Sequence, residues 1–315
     1  MNILTFDVEE WFHLLDFDAT RTEAEWVKYE IRIYENVDRI LDILEHTDTK
    51  ATFFIVGWIA RNYPDVVKKI AAKYQIGTHT MSHQLVWQQK PEEFRKDVES
   101  SIKLLQDITG QPIECFRAPG FSIRETEPWA FDILQDLGIK YDCSIFPAAH
   151  AHGGMASYGT PMPSLIKHGN VLMKEFPVST KTFMGKNIIF SGGGYFRLVP
   201  YGLLKRWSAQ AANGFKGHMV PLLWHDKDGN IMIGADGLPL TRDVGYLLSY
   251  IHPRDLDGGQ PMLEGLPLAR KFKSYVGTKG AAEKLRHYLT DFKFTDINTA
   301  ASKICWEKCS IVELK

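Results

Sequence analysis

Three short runs decide the fold: NILTFD at residues 2–7, NVDRILDILE at 36–45 and ATFFIVG at 51–57. The first and third are apolar without strict alternation, the pattern of strands covered on both faces. The second repeats its apolar residues at helical spacing. Strand, helix and strand in that order make a βα unit, and the unit recurs. An amphipathic helix is expected over 64–74, a strand over 75–78, a long helix over 91–109 and a strand over 114–117. A helix over 127–137 and a strand over 141–144 follow. Apolar strands separated by helices predict a parallel sheet, either a barrel or a doubly wound sheet.

Beyond residue 148 the pattern loosens. Residues 148–169 are rich in Gly, Pro, Ser and His and read as a long loop, of the length that usually serves a site. Strands are expected at 171–177 and 188–190. The glycine run Ser191-Gly192-Gly193-Gly194 is a tight turn feeding a helix over 200–213, and no Gly-Lys-Ser/Thr follows to make it a phosphate loop. Residues 217–243 read as a hairpin with Asp-Gly turns inserted before a strand over 246–252. Residues 277–310 read as closing helices. No Pro-, Gly- or charge-rich linker cuts the chain, so residues 1–315 are expected to form one domain with a core over about 3–257 and a C-terminal elaboration over 258–315.

Composition narrows the function. The 315 residues are 44% hydrophobic and 24% charged, with 37 Lys+Arg against 38 Asp+Glu, which excludes disorder and bulk electrostatic attraction to nucleic acid. The longest apolar run, Ala51 to Ala60, falls far short of the ~20 residues of a membrane span. The opening residues show no basic stretch followed by an apolar core, so no signal peptide is read and a cytoplasmic location is expected. Four cysteines are too few for a disulfide scaffold. Cys305 and Cys309 lack the two further ligands that a thiolate metal site needs, and read as ordinary thiols.

Chemistry-bearing residues cluster at the ends of the expected strands: Asp7 and Glu9, His79 and His83, Arg117, Asp142, and His252. In a parallel barrel those ends share one face, so residues distant in sequence converge there. His79 and His83 at i and i+4 would be neighbours on a helical turn and could reach one metal ion. Asp7 and Glu9 share one side of the first strand and are followed by Trp11 and Phe12, a charged pocket beneath an aromatic wall. The competing reading of each is structural: two histidines four apart can arise by chance, and two acids can be solvated or cap a helix.

A family is recognisable in these residues. TFDVEEWF (5–12), KATFFIVGWIA (50–60), HTMSH (79–83), FRAPGFS (116–122) and YDCSIFP (141–147) resemble, in order, motifs of the NodB-homology polysaccharide deacetylases, the carbohydrate esterase family 4 type. GGGYFRLVPYGLL (192–204) and YIHPRDLD (250–257) resemble the subgroup found with exopolysaccharide biosynthesis. The resemblance implies a distorted (β/α)7 barrel and a divalent metal, usually zinc but with cobalt or manganese also suited, held by Glu9, His79 and His83. It further implies Asp7 as base, Arg117 as its bidentate partner, His252 as general acid oriented by Asp142, and an oxyanion donor near Gly120 and Phe121. Two adjacent aspartates are usual in the family, and Asp7-Val8-Glu9 departs from them. Trp11 and Phe12 are expected to stack on sugar. Tyr195 and Arg197 either contact sugar or close the barrel. His225, after Leu223 and Trp224, competes with His252 but sits in the insertion, while His13, His150 and His152 could line the cleft. The implied activity is removal of an N-acetyl group from an acetamido sugar of a glycan or glycan precursor. The alternatives are attack on another C–N bond, as in an amino-sugar deformylase or a cyclic amide or ureide hydrolase, and a glycan-binding protein with a degenerate site.

Overall fold

The computed structural model describes residues 1–15, 17–148, 152–183, 186–214 and 217–315. The strands are β1 (Asn2–Val8), β2 (Thr52–Ile55), β3 (Gln75–Thr78), β4 (Cys115–Phe116), β5 (Tyr141–Asp142), β6 (Ser164–His168), β7 (Val171–Glu175), β8 (Thr180–Phe183), β9 (Lys186–Ile189), β10 (Met219–Leu223), β11 (Thr241–Gly245), β12 (Leu247–Ile251) and β13 (Ile311–Glu313). The helices are α1 (Glu23–Trp26), α2 (Ile33–His46), α3 (Gly57–Asn62), α4 (Pro64–Ala71), α5 (Pro91–Thr109), α6 (Trp129–Asp136), α7 (Gly193–Leu198), α8 (Tyr201–Ala212), α9 (Leu268–Tyr275), α10 (Ala281–Asp291) and α11 (Ile297–Ala301).

One sheet runs β12-β1-β2-β3-β4-β5-β7-β6-β13. From β12 to β7 every pairing is parallel, which gives the seven parallel strands of the expected α/β fold. The face that carries Leu4, Phe6, Phe53, Ile55 and Phe116 packs on helix residues such as Ile40, Leu44, Val67 and Leu105. The other face gathers Ile3, Phe54, Cys115, Cys143, Phe176, Val178, Tyr246 and Leu248 into a separate apolar cluster. That second cluster joins the two ends of the parallel run, so the sheet curls upon itself. No backbone ladder closes the seam among the described residues. Instead the Tyr246 hydroxyl donates to the Pro177 carbonyl at 2.8 Å and the Leu248 N–H donates to Ser179 Oγ at 2.8 Å.

The insertion folds as expected into an antiparallel arm, with β10 paired to β11 and further bridges at His225–Ile231 and Ile233–Pro239. Several elements escape the sequence reading, among them the strands β6, β8 and β13 and the helix α9. β6 lies within the stretch read as loop and returns antiparallel to β7, and β13 adds a last strand after the closing helices. Both have only three to five residues, too short for period-two patterning to stand out, and β6 lies between β7 and the edge strand β13.

Candidate active site

The carboxyl ends of the parallel strands deliver Asp7, Glu9, His79, Arg117 and His252 to one place, where a cavity of about 420 Å³ is lined by Asp7, Glu9, His79, His83, Phe121 and His252, among others. Arg117 lies beneath it, fully buried. One Arg117 nitrogen, Nη1, donates to Asp7 Oδ1 at 2.7 Å and to Thr5 Oγ1 at 2.8 Å, while Nε donates to the Cys143 carbonyl at 3.1 Å. The expected bidentate fork is therefore absent. Nε is aimed at the backbone of the next strand, so a single nitrogen serves Asp7. The guanidinium also stacks on Phe54, 4.4 Å from the ring centroid. Burial alone would raise the Asp7 carboxyl, but Arg117, with His79 and His252, outweighs it and holds the group below its ordinary value.

His79 and His83 do meet, with ring centroids 5.1 Å apart, but not on a helical turn. Residues 79–83 form a bent loop in which Thr80 (φ 65°) and His83 (φ 53°) adopt left-handed backbone, uncommon for residues with a Cβ. Asp97, on α5, accepts the N–H groups of Met81 (2.7 Å) and Ser82 (3.1 Å), and Thr80 Oγ1 accepts that of His83 (3.0 Å). Asp97 was not singled out by sequence, since an acid in a charged amphipathic helix carries no distinguishing signal. His79 Nδ1 lies 2.7 Å from the Arg117 carbonyl, which can only accept, so the proton is on Nδ1 and the Nε2 lone pair remains for a ligand. Burial holds His79 low, at about 4, so the ring is neutral. His83 Nε2 is 2.7 Å from Glu9 Oε2. One donor atom from each of Glu9, His79 and His83 lies within 4.8 Å of the others, and all three residues are buried. A carboxylate and two imidazoles, one with its tautomer fixed from behind, form a donor set that suits a divalent transition metal such as zinc.

His252 faces the acids through Nε2, 3.8 Å from both Asp7 Oδ2 and Glu9 Oε1. Asp142 was expected to orient it and does not. Asp255 takes that place, accepting His252 Nδ1–H at 2.8 Å, and Arg197 Nε donates to the other Asp255 oxygen at 2.7 Å. The signal for Asp255 was present in sequence: Pro253 starts a single 3-10 turn, and the acid three residues after His252 folds back on it. Burial lowers His252, yet Asp255, Glu9 and Asp7 together raise it to about 9. Arg197 also donates through Nη1 to the Val276 carbonyl and through Nη2 to the Lys273 carbonyl, so its fork acts as a brace at the cavity it lines. Tyr195 stands half exposed at the cavity rim.

Trp11 and Phe12 also depart from expectation. Both are buried in a ring cluster with Tyr29 and Trp58, and Trp11 Nε1 donates to the Glu30 carbonyl. The chain turns after Glu9 because Glu10 caps α2, accepting the N–H groups of Arg32 and Ile33 at 2.8 Å each, and this swings the aromatics behind the cavity. His13 and His152 line the cavity, whereas His225 lies on the arm and His150 falls outside the described residues. Gly120 and Phe121 line it too, both in left-handed backbone; the Phe121 N–H donates to the Ala118 carbonyl, so it is not free for a ligand.

Asp142 has a different setting. Ser144 donates to it through N–H (3.0 Å) and hydroxyl (2.6 Å), and its carboxyl pairs with that of Glu175. Glu175 is fully buried; Oε1 accepts the Ile145 N–H, and Oε2 has no donor among the described residues. Burial first, and Asp142 second, push Glu175 well above its ordinary value, so the pair shares a retained proton. A carboxyl that keeps its proton in the fold and loses it on unfolding favours the fold most at low pH. Stability then falls, by about 1.4 kcal/mol per pH unit per retained proton, as pH rises above ~4.5 towards the raised value. Glu175→Gln is expected to flatten that decline relative to wild type in denaturant midpoints measured from pH 5 to 8; parallel curves would show that no proton is held there.

A polysaccharide deacetylase family model matches residues 14–141. A model described as a domain of unknown function matches 143–228 and 239–302. The first match spans His79, His83 and Arg117, and Asp7 and Glu9 immediately precede it; His252 and Asp255 belong to the second match. A peptidoglycan-N-acetylglucosamine deacetylase of Bacillus cereus is 34% identical over 121 residues, 34% of this chain and 44% of that one. A second B. cereus protein so described is 30% identical over 139 residues, 43% of this chain and 63% of that one. The chain thus spans about half the length of these curated relatives. A candidate polysaccharide deacetylase from Mycobacterium smegmatis superposes over 100% of this chain and 93% of its own, with TM-score 0.62 and 18% identity, a likeness of fold.

Proposed function

We propose that the chain is a metal-dependent hydrolase that removes the N-acetyl group from an acetamido sugar of a glycan, oligosaccharide or glycan precursor. One observation carries this reading: a buried carboxylate–bis-imidazole set, Glu9, His79 and His83, lies between an ionised acid, Asp7, and a histidine, His252, whose outer nitrogen is held by Asp255. A divalent ion held by that set supplies Lewis acidity towards the amide carbonyl and lowers the pKa of water.

The remaining work falls to the chain's own groups. Hydrolysis adds water across the amide C–N bond, so one proton must leave the attacking water and one must reach the departing nitrogen. Asp7, kept ionised by Arg117, accepts the first. His252 donates the second from Nε2, since its Nδ1–H is committed to Asp255. Arg197 fixes Asp255 and thus the tautomer of His252, a positioning role one step from the chemistry. Residues 1–315 act as one catalytic unit, the first matched region supplying the imidazoles and the second matched region the acid.

The test is product stoichiometry. N-acetylated chito-oligosaccharides and peptidoglycan glycan strands are incubated with purified protein, and acetate and free amine are both quantified. Equal amounts of the two are expected. Amine and acetate absent from the whole panel would remove the reading.

A further inference from the structure

Helix α9 presents two unlike faces. Arg270, Lys273 and Ser274 line the catalytic cavity. Opposite them, Leu268, Phe272 and Val276 follow one another every four residues, and they are 86%, 55% and 40% exposed. Residues at i and i+4 stand one above the other on a helix, so Leu268 and Phe272 form an apolar stripe at the mouth of the site, and Val276, the first residue after the helix, adjoins it. Met262, in the segment before the helix, is exposed as well. The helix carries Arg270, Lys271 and Lys273 and no acid; across residues 262–280 four cations face one acid, Glu264. The helix is not loosely attached. Its Lys273 carbonyl and the Val276 carbonyl accept from Arg197, and the Ser274 carbonyl accepts from Arg254.

We propose that α9 is an interfacial anchor that seats the mouth of the catalytic cavity on an anionic lipid bilayer. A single stripe of a few apolar side chains is too narrow for a stable protein interface, which takes about 800 Å² from each partner. It does suit shallow insertion into the headgroup region, where cations beside an apolar stripe add attraction to anionic lipid. Lys271, the helix cation that does not line the cavity, and the absence of acids from the helix are complementary to such a surface. Because the cavity opens along the same helix, a glycan presented at the membrane would reach the site without the protein leaving the bilayer. Membrane docking does not depend on the reaction proposed above and can be read separately.

The experiment is flotation of the full chain with vesicles of phosphatidylcholine alone and of equimolar phosphatidylcholine and phosphatidylglycerol, at low and high salt. Wild type is expected to float with the anionic vesicles, less at high salt, and to stay behind with the neutral ones. Leu268→Asp/Phe272→Asp is expected to lower the bound fraction at least about tenfold, and Lys271→Glu to lower it less. Leu268 and Phe272 are exposed, Lys271 is partly exposed, and none of the three lines the cavity, so unfolding midpoints and turnover of a soluble oligosaccharide are expected to match wild type. Wild type that fails to float with anionic vesicles, floats equally with neutral ones, or is matched by Leu268→Asp/Phe272→Asp would overturn the proposal.

Discussion

Asp7→Asn is expected to lower the rate of acetate release by about 10²–10⁴-fold, the usual contribution of a positioned general base, while the protein still binds metal. Asparagine keeps the shape of the side chain and can accept from Arg117 Nη1, but it cannot take a proton. The cavity and the Glu9, His79 and His83 set should persist, so elemental analysis of the variant should still find metal. Stability should fall as well, because Arg117 is fully buried and would lose the charge that balances it. The assignment depends on which acid is which. Asp7 has an arginine at 2.7 Å and Glu9 has His83 at 2.7 Å, so the acid paired with a fixed cation is read as base and the one paired with an imidazole as ligand. If Asp7→Asn retained near-normal turnover while Glu9→Gln kept its metal and lost activity, the two roles would be reversed.

Arg117→Met is expected to be the most destabilising single change in the site, at about 3–5 kcal/mol, since removing one member of a buried pair strands the other charge. It deletes hydrogen bonds to Asp7, Thr5 and the Cys143 carbonyl together with the stacking on Phe54. The unfolding temperature should drop by on the order of 10 °C. Asp7 would then lose the cation that overcomes its burial and would take up a proton, so acetate release should fall as well. Arg117→Lys restores a charge but not the planar stack or the bond from Nε to Cys143, and should recover only part of either loss. A variant Arg117→Met with wild-type stability and turnover would mean that the buried pair is neither structural nor catalytic.

The parallel sheet and the convergence of its strand ends were legible because each depends on local pattern: β1 and β2 are short, mostly apolar runs, and charged residues or histidines mark the carboxyl ends of β1, β3 and β12. Asp7, His79 and His252 were found in this way. Partnerships across the fold were less legible. Asp142 and Asp255 are both acids near a strand end, and only the 3-10 turn after Pro253 brings the latter onto His252. Trp11 and Phe12 come just two and three residues after Glu9, yet capping of α2 by Glu10 turns them inward, through a bond to a residue 22 positions away. The spacing of His79 and His83 suggested a helical turn; the structure brings the rings together through two left-handed residues held by Asp97, and no helical propensity reports on that.

Whether Glu9, His79 and His83 hold a metal that the reaction needs decides the proposed function. The decisive measurement is elemental analysis of purified wild type beside His79→Ala, with acetate release from N-acetylated oligosaccharides assayed before and after chelation and again after metal is restored. Near-stoichiometric divalent metal in wild type, its loss from the variant, and acetate release that disappears with chelator and returns with metal are the expected results. Wild type without metal in any preparation, or acetate release indifferent to chelation, would contradict the account.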